Sequence, residues 1–115
     1  MSLWKWNDVE LEIDMEDVDF QIRYENSFKQ LGEAEKKLKA VGTASEFSIG
    51  YCEMFFHLFD GIFGDGTSEK LFKGKRNLGQ IDECYESFLD VCRKDVVEIN
   101  RKRNKRIAKY MPKRK

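Results

Sequence analysis

The sequence predicts an α+β domain, mostly α, in which an N-terminal β-hairpin packs on a bundle of three main helices plus one short helix. Three observations carry that prediction. Apolar residues alternate with polar ones in residues 3–13, the signature of half-buried strands. Three longer stretches repeat apolar residues every three or four positions, the period of a helix with one buried face. Glycine-marked breaks at Gly42, Gly64-Asp65-Gly66 and Gly74 separate those stretches. A length of 115 residues suits one domain, expected over 1–100, with 101–115 as a basic tail, partly helical or disordered.

In the hairpin, Trp4, Trp6, Val9, Leu11 and Ile13 alternate with polar residues, and Asn7-Asp8 offers the sensible turn. That register sets Trp6 opposite Val9 and Trp4 opposite Leu11 on one face, and Lys5 opposite Glu10 on the other. A lone hairpin is marginal in water, so its Trp face must lie on a helix.

The first helix is expected after Asp14, with Glu16, Asp17 and Asp19 in its first turns, where negative charge suits the helix dipole. Its apolar face is Phe20, Tyr24, Phe28, Leu31, Ala34, Leu38 and Val41. The second begins at a capping box of Thr43 and Glu46. It carries a core stripe of Phe47, Tyr51, Met54, Phe55, Leu58 and Ile62, and a second stripe of Cys52, Phe56, Phe59 and Phe63. Its polar side is Glu46, Glu53, His57 and Asp60. Thr67 then caps a short helix through Leu71-Phe72, closed by Gly74. Asn77 and Gln80 open the third main helix, whose apolar face is Leu78, Ile81, Tyr85, Phe88, Cys92, Val96 and Ile99. Beyond Ile99 the pattern thins into basic residues ending at Pro112-Lys113-Arg114-Lys115.

The formal net charge is zero, but it is polarised along the chain. Residues 1–35 hold ten acidic and three basic side chains; residues 93–115 hold eleven basic and two acidic. Either the ends attract each other or the basic tail has an acidic partner. The longest apolar stretch, Tyr51 to Phe63, is broken by Glu53, His57 and Asp60 and is too short for a membrane span. The acidic N-terminus is the reverse of a signal peptide. Cys52, Cys84 and Cys92 are odd in number and lie on apolar faces, which predicts buried free thiols in a reducing cytosol.

No residue constellation predicts an enzyme. Gly64-Asp65-Gly66 lacks the glycine and hydroxyl spacing of a phosphate loop and the alternating oxygen ligands of a calcium loop. No Cys-x-x-Cys pair exists, and His57 lies off the face of Cys52, so zinc is not expected. His57 is the only histidine, and the acids of residues 8–19 fall in a strand and a helix start with no obvious shared pocket in which to split their pKa values. No metal and no other cofactor is expected.

Two surfaces remain as candidates for a partner. The double stripe of the second helix covers roughly half its circumference or more at about 100° per residue. It is either the centre of the bundle or a face on which Phe56, Phe59 and Phe63 stay partly open for a partner or a second copy of the chain. The basic tail, with Arg101, Lys102, Arg103, Lys105 and Arg106, is either a solvated charge run or a nucleic-acid contact.

Two motifs carry a family resemblance. One runs Leu11-Glu-Ile-Asp-Met-Glu-Asp-Val-Asp-Phe20 with Tyr24-Glu25; the other runs Phe63-Gly-Asp-Gly-Thr-Ser-Glu-Lys-Leu-Phe72 with Gly74-Lys-Arg-Asn-Leu78. Together they resemble the tail assembly chaperones of long-tailed phages and prophages of Gram-positive bacteria, over about residues 9–92. The resemblance implies a non-enzymatic protein of the bacterial host cytosol that binds the tape measure protein and keeps it soluble while the tail tube forms, with the tail tube protein as a possible second partner. Two alternatives stand beside it. One is a small nucleic-acid-binding or regulatory protein that uses the basic tail; the other is a structural virion component such as a head–tail joining protein.

Overall fold

A computed structural model describes residues 1–39 and 42–110. Val41 and Pro112-Lys113-Arg114-Lys115, placed above on a helix face and in the tail, lie outside the described residues. Two strands come first, β1 (Ser2–Trp6) and β2 (Val9–Ile13). Four helices follow: α1 (Val18–Leu38), α2 (Ala44–Phe63), the short α3 (Thr67–Phe72) and α4 (Leu78–Tyr110). The architecture is the α+β, mostly α arrangement that the sequence predicts. Among the described residues no helix is long and apolar enough to cross a membrane.

The hairpin forms in the expected register: Trp6 faces Val9, Trp4 faces Leu11, and Lys5 faces Glu10 with an ion pair of 3.2 Å on the outer face. Asn7 takes a left-handed backbone (φ 54°), which asparagine tolerates better than most residues, and its side chain donates to the Leu71 carbonyl at 3.3 Å. The turn is thus tied to α3. Trp4 and Ile13 point into the core, where Trp4 is 1% exposed.

α1 starts three residues later than expected, at Val18, with Asp17 as its cap accepting from the Asp19 N–H at 3.0 Å. The reason is a tether. The Met15 N–H donates to Asp95 on α4 at 2.9 Å, and Gln21 Nε2 donates to the Met15 carbonyl at 2.7 Å. Those bonds hold residues 14–16 in a turn. α1 then packs closely on α2, with Ser27 buried between them. A Cβ built on Gly61 would press directly against Ser27 Oγ, so Gly61 is what permits the approach. Gly61→Ala gains about 1 kcal/mol of helix propensity but meets an overpacking cost of about 1–3 kcal/mol. A net loss of about 1 kcal/mol is expected in urea unfolding; an unchanged midpoint would show that Ser27 turns aside freely.

Thr43 caps α2 by accepting from the Glu46 N–H at 3.2 Å. Gly64 ends it at φ 111°. Thr67 is not the cap of α3 but its first residue. Gly66, at φ 89°, stands in the cap position without a side chain to offer. The acceptor comes from Asp60 instead, which receives the Ser68 N–H at 2.8 Å and the Ser68 hydroxyl at 3.0 Å. The Phe-Gly-Asp-Gly-Thr motif is therefore a turn that needs positive φ at both glycines and closes on Asp60. α3 stops at Lys73 and Gly74, both with positive φ. Asn77 accepts from the Gln80 N–H at 3.0 Å and opens α4.

α4 continues past Ile99 into the basic residues. It remains helical to Tyr110, 33 residues in all, or about 50 Å at 1.5 Å per residue. This one helix accounts for most of the molecule's 63 Å long axis. Its buried seam steps from Phe88 to Cys92, Asp95 and Ile99, so Asp95 is buried and Val96, assigned above to the apolar face, is exposed.

Candidate partner-binding surface

Within the second stripe of α2, Cys52 and Phe59 are buried, while Phe56 and Phe63 are half-buried. Phe59 is completely buried, stacked on Trp4 with centroids 5.6 Å apart and edge-on to Phe88 at the same distance. Phe63 is half-buried among Trp4, Phe20 and Phe88, at 5.8, 6.0 and 5.8 Å. Phe56 is half-buried against Phe72 at 5.3 Å. A two-stranded hairpin and a six-residue helix cannot stand alone, and each takes part of this stripe as its platform. Trp4 covers Phe59 and Phe63, and Phe72 covers Phe56 and Phe59.

The open aromatic surface lies at the other end of α2. Phe47, assigned above to the core, is 42% exposed. It begins a ladder of rings that runs inward, Phe47 to Tyr51 at 6.0 Å, Tyr51 to Phe55 at 5.0 Å, and Phe55 to Tyr85 of α4 at 4.7 Å. Leu38 and Met54 complete the floor of a groove of about 360 Å³, with Glu35 and Lys39 among its lining residues. Tyr51 is fixed in place by donating its hydroxyl to Asp82, and burial followed by that bond raises its pKa. A smaller hollow of about 260 Å³ adjoins it, lined by Leu38, Gly50, Met54 and His57. Apolar floor, charged flanks and rigid rings are the features that receive one face of an amphipathic helix. Phe47 fits the helical period as well as any core residue does. Only its place in the first turn of α2 marks it as a residue with few neighbours.

Arg101, Lys102, Arg103, Lys105 and Arg106 are all exposed on the last turns of α4. Arg101 makes a charge-assisted bond to Glu98 at 2.6 Å, and that bond holds the Glu98 carboxyl below its usual range. Among the described residues the other four make no ion pair, and none of the five meets an acid of residues 1–35.

The three cysteines are buried and unpaired. Burial pushes the thiols of Cys84 and Cys92 up to about 12 and raises that of Cys52, so all three stay protonated at neutral pH. A protonated, covered thiol is a poor nucleophile and a poor metal ligand. A thiol reagent such as an aromatic disulfide is expected to leave the native chain unmodified and to titrate three thiols once urea unfolds it; rapid native labelling would contradict this burial. His57 is exposed. Among the described residues no three histidine, cysteine, aspartate or glutamate side chains come together as a metal site.

No curated protein and no solved structure matches the chain. Residues 7–115 match a family of unknown function (DUF6673), a span from the hairpin turn through α4 and the basic tail, and the chain belongs to that family.

Proposed function

We propose that this protein is a non-enzymatic tail assembly chaperone that binds the tape measure protein and keeps it soluble during tail tube assembly. The observation that carries the reading is the groove at the start of α2, where the Phe47–Tyr51–Phe55 ladder meets solvent beside Leu38 and Met54. A tape measure protein is a very long helical chain with exposed apolar segments, and such a segment suits a groove of this shape. The two sequence motifs that resemble the tail chaperone family support the same reading. Capture would rest on apolar contact at the groove, so it would resist salt, unlike binding through the basic tail. The site of function lies in the cytosol of the bacterial host in this reading.

Co-expression with the tape measure and tail tube proteins encoded beside the gene tests the proposal. The expected result is salt-resistant co-purification of the tape measure protein with a higher soluble yield. Capture of neither protein, with nucleic acid co-purifying only at low salt, would overturn the reading in favour of a nucleic-acid-binding role for the basic tail. Recovery of the chain as a stoichiometric part of purified particles would instead make it a structural virion component.

A further inference from the structure

The seam by which α4 meets the body does not end where the body ends. Cys92, Asp95 and Ile99 lie along it at helical spacing and are buried. The same line continues as Lys102, Arg103, Arg106 and Tyr110, all of them exposed. The overhang from Asn100 to Tyr110 is about 16 Å long at 1.5 Å per residue and carries six cations, Lys109 being the sixth. Cations three and four apart repel each other on a helix. Lys102 with Lys105 and Arg106, and Arg106 with Lys109, are such neighbours. An extended helix of this charge calls for opposite charge along its seam.

That opposite charge is present on the same chain, at the same end of the molecule. Met15 is bonded to Asp95, so the junction of β2 and α1 sits at the root of the overhang. Glu12, Glu16, Asp17 and Asp19 are exposed around that junction, and none of them makes an ion pair among the described residues. Among the described residues of one copy, no cation of the overhang pairs with an acid of this shoulder. In a pair related by a two-fold axis, each overhang can lie across the other copy's shoulder, and both sets of charge are satisfied at once. The complementary acids carried by the same chain favour a second copy over nucleic acid as the occupant.

We infer that the overhanging seam of α4, with Lys102, Arg103 and Arg106, docks on the acidic β2–α1 shoulder of a second copy of this chain to form a reciprocal dimer. The mass by sedimentation or light scattering is expected to be twice 13.6 kDa in dilute salt and to fall toward one chain as salt rises. Between about 0.1 and 1 M salt the screening length drops from about 10 to about 3 Å, and the dissociation constant should weaken more than about tenfold. Arg103→Glu with Arg106→Glu should give a monomer with unchanged helical circular dichroism, since both side chains stand in solvent. Glu12→Lys with Glu16→Lys should also give a monomer. Mixing the two variants should restore a dimer, because each reversed overhang then meets a reversed shoulder. A wild-type monomer in dilute salt, dimers that survive either reversal, or a mixture that stays monomeric would overturn the inference. So would a monomer retained by a duplex oligonucleotide through the same arginines.

Discussion

Trp4→Ala is expected to destabilise the fold by about 3–5 kcal/mol, a large share of what a domain of this size holds. Trp4 is the point at which three separate elements meet. Its ring lies 5.6 Å from Phe59, 5.8 Å from Phe63 and 5.2 Å from Phe88. Its Nε1–H donates to Ser87 Oγ at 3.0 Å, so the polar edge is satisfied inside the core. Truncation would open a cavity between β1, α2 and α4 and leave the hairpin without its anchor. Trp4→Phe keeps most of the ring and loses one hydrogen bond, and should cost nearer about 1 kcal/mol beyond the lost area. Urea unfolding followed by circular dichroism reads both. In a Trp6→Phe background the remaining Trp4 should emit at short wavelength until the cooperative transition. A Trp4→Ala protein within about 1 kcal/mol of wild type would contradict this packing.

Asp95→Ala is expected to cost about 2–4 kcal/mol and to flatten the acid limb of the stability profile. The carboxylate is 1% exposed. It accepts the Ser2 hydroxyl at 2.6 Å and the Met15 N–H at 2.9 Å, and the Met1 ammonium lies 3.3 Å away. Burial alone would push its pKa up. The bonds from Ser2, Met15 and the ammonium together outweigh burial and hold the carboxyl below the usual aspartate value. A depressed pKa in the folded state means that the unfolded chain binds the proton more readily. The stabilisation is therefore complete above the unfolded value of about 3.9 and is lost as the pH falls through the lower folded one. Asp90 and Glu98 are also held low by exposed arginine and lysine partners, but salt screens those pairs. Wild type should thus lose stability in acid even in high salt, and Asp95→Ala should lose much less. Parallel acid limbs in the two proteins would contradict the assignment.

Local chemistry makes much of the fold legible in the sequence. The hairpin register follows from alternation plus one asparagine turn, and the starts of α2 and α4 follow from Thr43 and Asn77. What was not legible depends on long-range bonds. Nothing near Met15 announces that its N–H belongs to Asp95, and that bond delays α1 to Val18. The spacing holds a clue at Asp95 itself: Cys92, Asp95 and Ile99 fall on one line, so an acid occupies a seam position, the mark of a buried, bonded carboxylate. The exposure of the α2 aromatics depends on distant elements in the same way. Phe47 and Phe59 stand on neighbouring stripes of the one apolar side of α2, and only the placement of Trp4 and Phe72 decides that Phe59 is sealed while Phe47 is open. Helical period identifies which side of a helix is apolar. It does not say which end of that side the other elements will reach.

The central claim, that the chain works by holding an apolar helical segment at the start of α2, is tested most directly by binding of a soluble tape measure fragment to wild type and to Phe47→Ser. Phe47 is exposed, so the substitution should leave the unfolding midpoint close to wild type. A loss of affinity of about tenfold or more is expected by calorimetry, corresponding to about 1.4 kcal/mol or more at an aromatic anchor. Equal affinity of the two proteins for a fragment that binds would place the contact elsewhere and contradict the claim.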